Sequence, residues 1–213
     1  MIFPKFLRQK MKLKLFGTDF SVSYPAVAFL CLAVISDKIG NILICLISSF
    51  LHELGHIFAM KTKGVRIESV AFNIGDVIIK ADSSSLSYLS EIFISSAGVT
   101  VNFLLAIIFY LLFRFSEVTI FYTFFVSNLA IGIFNLLPVR FLDGGDILRL
   151  IFNRFFSQKS TEIILTTLTI IFMLPILITG LIFLFNSSYN YSLLFAAIYL
   201  ICTFVSKEFK NVS

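Results

Sequence analysis

The chain has 213 residues, of which 58% are hydrophobic and 14% charged, with a formal net charge of +5 and a mean hydropathy of +0.98. Soluble domains are usually about a quarter charged, and one core of this size cannot hide 27 Phe among so few charges. The composition excludes an ordinary water-soluble enzyme or nucleic-acid module and points to an integral membrane protein, a single mainly α domain over 1–213.

In chain order, residues 1–20 form a basic arm carrying Lys5, Arg8, Lys10, Lys12 and Lys14. No small-x-small cleavage site follows, so the first apolar run is expected as a retained span and not as a signal peptide. A spanning helix needs about 20 apolar residues. The expected spans are Val22 to Ser36, Ile39 to Met60, Leu86 to Phe113, Val118 to Leu137, Ile163 to Phe185 with a kink at Pro175, and Tyr191 to Val205. That makes about six transmembrane helices. Between the second and third, residues 64–81 are β-branched and alternating, with a turn signal at Gly75-Asp76, which predicts a short membrane-associated β-hairpin. An open sheet edge is unfavourable in hydrocarbon, so this hairpin is expected at the interface or against a water-filled cavity. Residues 138–160 read as a cytoplasmic-side loop.

With a cytoplasmic N-terminus and six crossings, both termini are cytoplasmic and fifteen of the 17 Lys and Arg lie inside, leaving only Lys38 and Arg114 outside. This bias accounts for the basic balance through anionic inner-leaflet lipid, with no nucleic-acid partner. Cys31, Cys45 and Cys202 are scattered through apolar runs at no metal-ligand spacing and are expected as small core residues.

Polar chemistry intrudes at "FLHELGHIFAM", residues 50–60, which holds both histidines of the chain. Residues four apart share one helix face, so His52 and His56 can offer their nitrogens to one metal ion with Glu53 beside them. This is the zinc metalloprotease pattern, two ligands and a carboxylate placed to take a proton from water. Without a compensating ion, this polar trio at membrane depth is costly. A catalytic zinc usually has three protein ligands and one open position. With no third histidine the missing ligand must be Asp, Glu or Cys; Ala59 and Thr62 stand where further histidines would follow in other patterns. Glu68, Glu117 and Glu208 lie near loops or ends, and Glu91 and Glu162 sit at span boundaries without a surrounding motif. The outstanding candidate is Asp143 in "NLLPVRFLDGGDIL", residues 135–148, which the topology puts on the same membrane side as the histidines. Its competing role is a helix N-cap, and Asp146 is the second candidate.

The two motifs, in this order, resemble those of the site-2 protease family of intramembrane zinc metalloproteases, and most closely the stage IV sporulation protein FB group, which processes a membrane-associated pro-sigma factor. The likeness takes in the metal span, the hairpin, the "SSAGVTVNFLL" segment and the aspartate loop. It implies one zinc per chain, held by His52, His56 and Asp143, with Glu53 as general base. It further implies that Asn135 orients substrate or stabilises the oxyanion. The implied activity is regulated intramembrane proteolysis in a bacterial cell membrane. Substrates would be transmembrane or membrane-associated proteins of the anti-sigma factor, pro-sigma factor or signal-peptide-remnant class, with a homo-oligomer or an inhibitory membrane partner as further associates. Val99 follows Gly98 where the family commonly has proline, and "NIGDV" stands in place of a Phe-Gly-Gly-like turn. Two other readings of the polar trio are a metal-ion transporter and an inactive scaffold that binds membrane helices. A transit site has no need of a carboxylate beside the first histidine, which favours the protease.

Overall fold

The computed structural model describes residues 10–15, 18–24, 27, 31, 40–73, 76–81 and 86–186. Among these the chain is mainly helical with a small mixed sheet: β1 (Lys10–Leu15), β2 (Thr18–Ser23), α1 (Asn41–Thr62), β3 (Ile67–Asn73), β4 (Asp76–Ala81), α2 (Tyr88–Ser116), α3 (Thr119–Asn135), α4 (Asp143–Asn153) and α5 (Gln158–Asn186). It divides into two compact units, 1–133 and 134–213. Among the described residues, three helices are long and apolar enough to cross a membrane: α1, α2 and the 158–179 part of α5. Where a fourth span was expected, Val118 to Leu137, the chain forms α3, an apolar helix of 17 residues that is shorter than those three. The expected first and last spans fall mostly outside the described residues; of the first, Val22 and Ser23 belong to strand β2, and Tyr24, Val27 and Cys31 are helical, Cys31 being exposed and not in a core.

In the first unit, α1 extends over 22 residues, about 33 Å at 1.5 Å per residue, enough for a hydrocarbon core of about 30 Å. Its outer face carries Phe50, Leu54 and Phe58, the last 68% exposed, as a lipid-facing surface demands. A Schellman turn ends the helix: Gly64 N–H bonds Lys61 O at 3.1 Å and Val65 N–H bonds Met60 O at 3.0 Å. Gly64 adopts φ 72°, the left-handed conformation this turn requires. The apolar contact that usually accompanies the motif is supplied by Val65 against Ala59, Met60 and Ile94. The turn feeds the chain directly into β3.

The hairpin expected over 64–81 is present as β3–β4, paired from Ile67↔Ala81 to Asn73↔Asp76. It is half of a larger sheet, in the order β1-β2-β3-β4. β1 and β2 form a second antiparallel hairpin, and β2 runs parallel to β3 from Asp19↔Ser69 to Val22↔Phe72. A parallel pair needs a long crossover, and α1 lies within it. The basic arm thus contains β1 and the start of β2, and in β1 Lys10, Lys12 and Lys14 alternate with Met11, Leu13 and Leu15, the period of a pleated strand. Its abundant lysine hides this signal from a reading by charge.

Helix α2 starts at Ser87, whose hydroxyl accepts from Ser90 N–H, with Glu91 in the first turn where the helix dipole favours an anion. It packs along α1 at small residues. A Cβ on Gly55 would come within 2.9 Å of Val101 Cγ2 and 3.0 Å of Ala97 O, so the two backbones approach closely only because that side chain is missing. Helix α3 returns beside α2, the pair joined by rings such as Phe109 stacked on Phe124 at 4.6 Å and Tyr110 tilted on Phe125 at 5.2 Å. Cys45, expected as a core residue, is exposed on α1, its Sγ 3.5 Å from Ser127 Oγ.

In the second unit, Pro138 lies just past the end of α3, as its lack of an amide hydrogen predicts. Within the stretch expected as a loop, residues 143–153 form the amphipathic helix α4. Val139, fully buried, and Leu142 pack on Met173 of α5. The amide of Arg140 donates to Thr169 Oγ1 at 3.0 Å, and that buried hydroxyl donates to Leu165 O at 2.7 Å. Charge closes the arrangement: Arg140 Nη2 lies 2.6 Å and Arg149 Nε 3.1 Å from the two Glu162 oxygens, while Arg149 Nη1 holds Asp146 at 2.5 Å. The connection 136–142, α4 and α5 are thereby tied to one another. Helix α5 stays helical through Pro175.

Candidate metal centre

His52 and His56 stand one turn apart on α1, 4% and 9% exposed. Their Nε2 atoms lie 3.2 Å from each other, with the rings edge to face at 76°. Both Nδ1 atoms point away to oxygen: His56 Nδ1 is 2.8 Å from the carbonyl of Ile94, and His52 Nδ1 is 2.6 Å from Asn102 Oδ1. A carbonyl oxygen only accepts, so His56 carries its proton on Nδ1. The amide orientation of Asn102 follows from its other partners. Its Nδ2 donates to Asn128 Oδ1 at 3.0 Å and to Ser48 O at 3.4 Å. Asn128 Nδ2 in turn donates to Phe124 O at 2.9 Å. A flipped Asn102 would set its oxygen against two other acceptors, so Oδ1 faces His52 and that ring too is protonated on Nδ1.

Two neutral imidazoles so arranged bring two lone pairs face to face inside a buried space. A cation resolves this repulsion. Nitrogens each about 2.0–2.1 Å from one tetrahedral zinc stand roughly 3.3–3.4 Å apart, close to the separation seen here. The donor set and its spacing therefore fit zinc. The wall opposite the pair is Gly98 of α2, where a Cβ would collide with His56 Nε2 and come within 2.6 Å of His52 Nε2. The methyl of Gly98→Ala would occupy the space that an ion needs. The expected result is a folded protein that binds zinc at least about 10-fold more weakly, read by competition with a chelator; unchanged affinity would show that the imidazole lone pairs address some other point.

Glu53 follows His52 on α1 and is half-buried. The structure thus brings His52, Glu53 and His56 to one stretch of one helix, as their spacing predicts. Asp143 and Asn135 lie in the second unit. Asn135 is the last residue of α3 and half-buried. Asp143 opens α4 as its first helical residue, and the N-cap position belongs to Leu142, whose backbone is extended, so the competing N-cap role for Asp143 falls away. Gly144 and Gly145 let this helix start lie directly under the chain before it, because a Cβ on either would strike the carbonyls of Leu136 and Val139 respectively. Asp146, the second candidate, is engaged by Arg149.

Sequence reasoning passed over Asn102, Asn128 and Ser48, all with relative exposure of 0%. Their signal was available: an amide in the middle of an otherwise apolar span needs a partner, as a buried unpaired amide costs about 1–3 kcal/mol.

The profile of Peptidase family M50 matches residues 40–121 and 115–176, and the chain belongs to that family. It is similar to a zinc metalloprotease of Methanocaldococcus jannaschii, 36% identical over 124 residues, which are 55% of this chain and 36% of that protein. The chain thus spans little more than a third of this curated relative. Among solved structures it resembles the site-2 protease from the same organism, with a TM-score of 0.67 and 25% identity over 90% of this chain and 92% of the other.

Proposed function

We propose that this protein is an intramembrane zinc metalloprotease that hydrolyses peptide bonds of membrane-embedded or membrane-associated proteins. The observation that carries the reading is the pair of buried imidazoles whose unprotonated nitrogens converge at 3.2 Å beside Glu53. His52, His56 and Asp143 would hold the ion, completing the three-ligand, one-vacancy pattern of catalytic zinc. Zinc bound there acidifies water and polarises the scissile carbonyl. Glu53 takes the proton of the attacking water and returns it to the leaving amine, a role suited to a half-buried carboxylate one residue from a ligand. Asn135 offers an amide donor to the developing oxyanion or to the substrate backbone.

Family membership and the two motifs support the activity. The likeness to the sporulation-type group supports a substrate of the pro-sigma factor, anti-sigma factor or signal-peptide-remnant class, and the Lys and Arg distribution supports six spans with cytoplasmic termini. The test is cleavage of a reporter transmembrane helix in vesicles. Stripping the metal should abolish cleavage, zinc should restore it, and the cut should fall towards the cytoplasmic end of the reporter. Full cleavage by metal-free protein would end the proposal.

A further inference from the structure

The geometry points to a positioning relay of two asparagines, Asn128 and Asn102, which fixes the proton of His52 on Nδ1 and so makes Nε2 the unprotonated nitrogen on the side of His56 and the proposed metal. This deepens the zinc reading above and rests on it. Its physical basis is directional. The carbonyl of Phe124 and the hydroxyl of Ser48 take the two N–H bonds of Asn128, at 2.9 and 3.0 Å. Asn128 Oδ1 then has to face Asn102, whose own Nδ2 is shared between that oxygen and Ser48 O. Only Oδ1 of Asn102 is left for the imidazole, at 2.6 Å. A proton preference rooted in two main-chain carbonyls, Phe124 O on α3 and Ser48 O on α1, is thus passed to a ring on α1 through an amide on α2.

A plainer role for these amides is to bind helices together, since polar side chains commonly do so within membranes. Helix binding accounts for Asn102, Asn128 and Ser48 meeting. It gives no reason for the remaining oxygen to be aimed at a histidine nitrogen, and the two roles make different forecasts. His56 is the built-in reference, because its Nδ1 proton goes to the Ile94 carbonyl and owes nothing to the asparagines.

Having only two histidines makes the test direct. Protein labelled with ¹⁵N in its imidazoles, purified whole in detergent and freed of zinc, gives two ring-nitrogen pairs whose shifts report which nitrogen carries hydrogen. Both rings should show the Nδ1–H form at alkaline pH. Asn102→Leu and Asn128→Leu should move His52 away from that form without altering His56, and should weaken zinc binding 10- to 100-fold, the range found for partners of metal-bound histidine. Asn102→Asp keeps an acceptor for Nδ1–H but loses both bonds to the other helices. It should restore the His52 form and most of the zinc affinity, which a pure helix-binding role would not allow. An Nε2–H form for His52 in the unmutated protein overturns the relay, and this outcome needs no variant to fold. Leucine variants with an unchanged His52 form and unchanged affinity overturn it too. Failure of the zinc reading has a separate signature: unmutated protein that binds no zinc, whatever its tautomers.

Discussion

Glu53→Gln is expected to retain its zinc and lose cleavage by a factor of about 10² to 10⁴, the usual contribution of a general base. The substitution keeps the size and hydrogen-bonding reach of the side chain and removes only its capacity to accept a proton from water. Since Glu53 is neither of the converging imidazoles, the metal content measured on purified protein should match that of the parent. The same variant separates protease from transporter. A metal-transit site needs ligands but no base, so a transporter would largely keep its flux after this change. A Glu53→Gln protein that cleaves at the parental rate would remove the carboxylate from the mechanism, and one with lost zinc would make it a ligand. The inactive, folded form should also hold its substrate, so co-purification from native membranes is the route to the substrate's identity.

The second large effect belongs to Asp143. Asp143→Ala should reduce zinc affinity by more than about 100-fold, beyond the range for residues that merely support a ligand, and should abolish cleavage. Its structural cost should be small, because an acidic side chain in the first turn of a helix is worth only about 0.3–1 kcal/mol through the dipole. Asp146→Asn is the matched control. It breaks the 2.5 Å contact with Arg149 in the same helical turn but should leave zinc stoichiometry intact. Equal zinc loss in both variants, or loss in Asp146→Asn alone, would reassign the third ligand. A lower melting temperature in Asp146→Asn with full zinc content would fit its place in the Arg140–Arg149–Glu162 group.

Much of the histidine-bearing stretch is legible in the sequence because helical geometry is local. A spacing of four puts His52 and His56 on one face whatever surrounds them, and an apolar run of 22 residues declares α1 without reference to any neighbour. The β3–β4 hairpin is legible for the same reason, since alternation and a turn signal sit within fifteen residues of each other. Pro138 and the Gly144-Gly145 pair likewise mark the break after α3 and the close approach at the start of α4. In contrast, the pairing of β2 with β3 joins residues 19–22 to 69–72 across a whole helix, and no local pattern encodes a partner at that distance. Strand β1 was concealed further by lysines that dominate a reading by charge.

From the sequence alone came the membrane character, the pair of histidines on one helix face with a neighbouring carboxylate, and the aspartate to look for in a later motif. These depend on hydropathy and on helical pitch, which each segment carries in itself. The tertiary structure decided which nitrogen of each histidine turns to an oxygen and which to the other ring, why position 98 has no side chain, and that the basic arm joins a four-stranded sheet. Each of those outcomes is set by atoms 38 to 50 residues apart in the chain, as with His56 and Ile94 or His52 and Asn102. Hydrogen-bond direction and steric exclusion act only once the helices are packed.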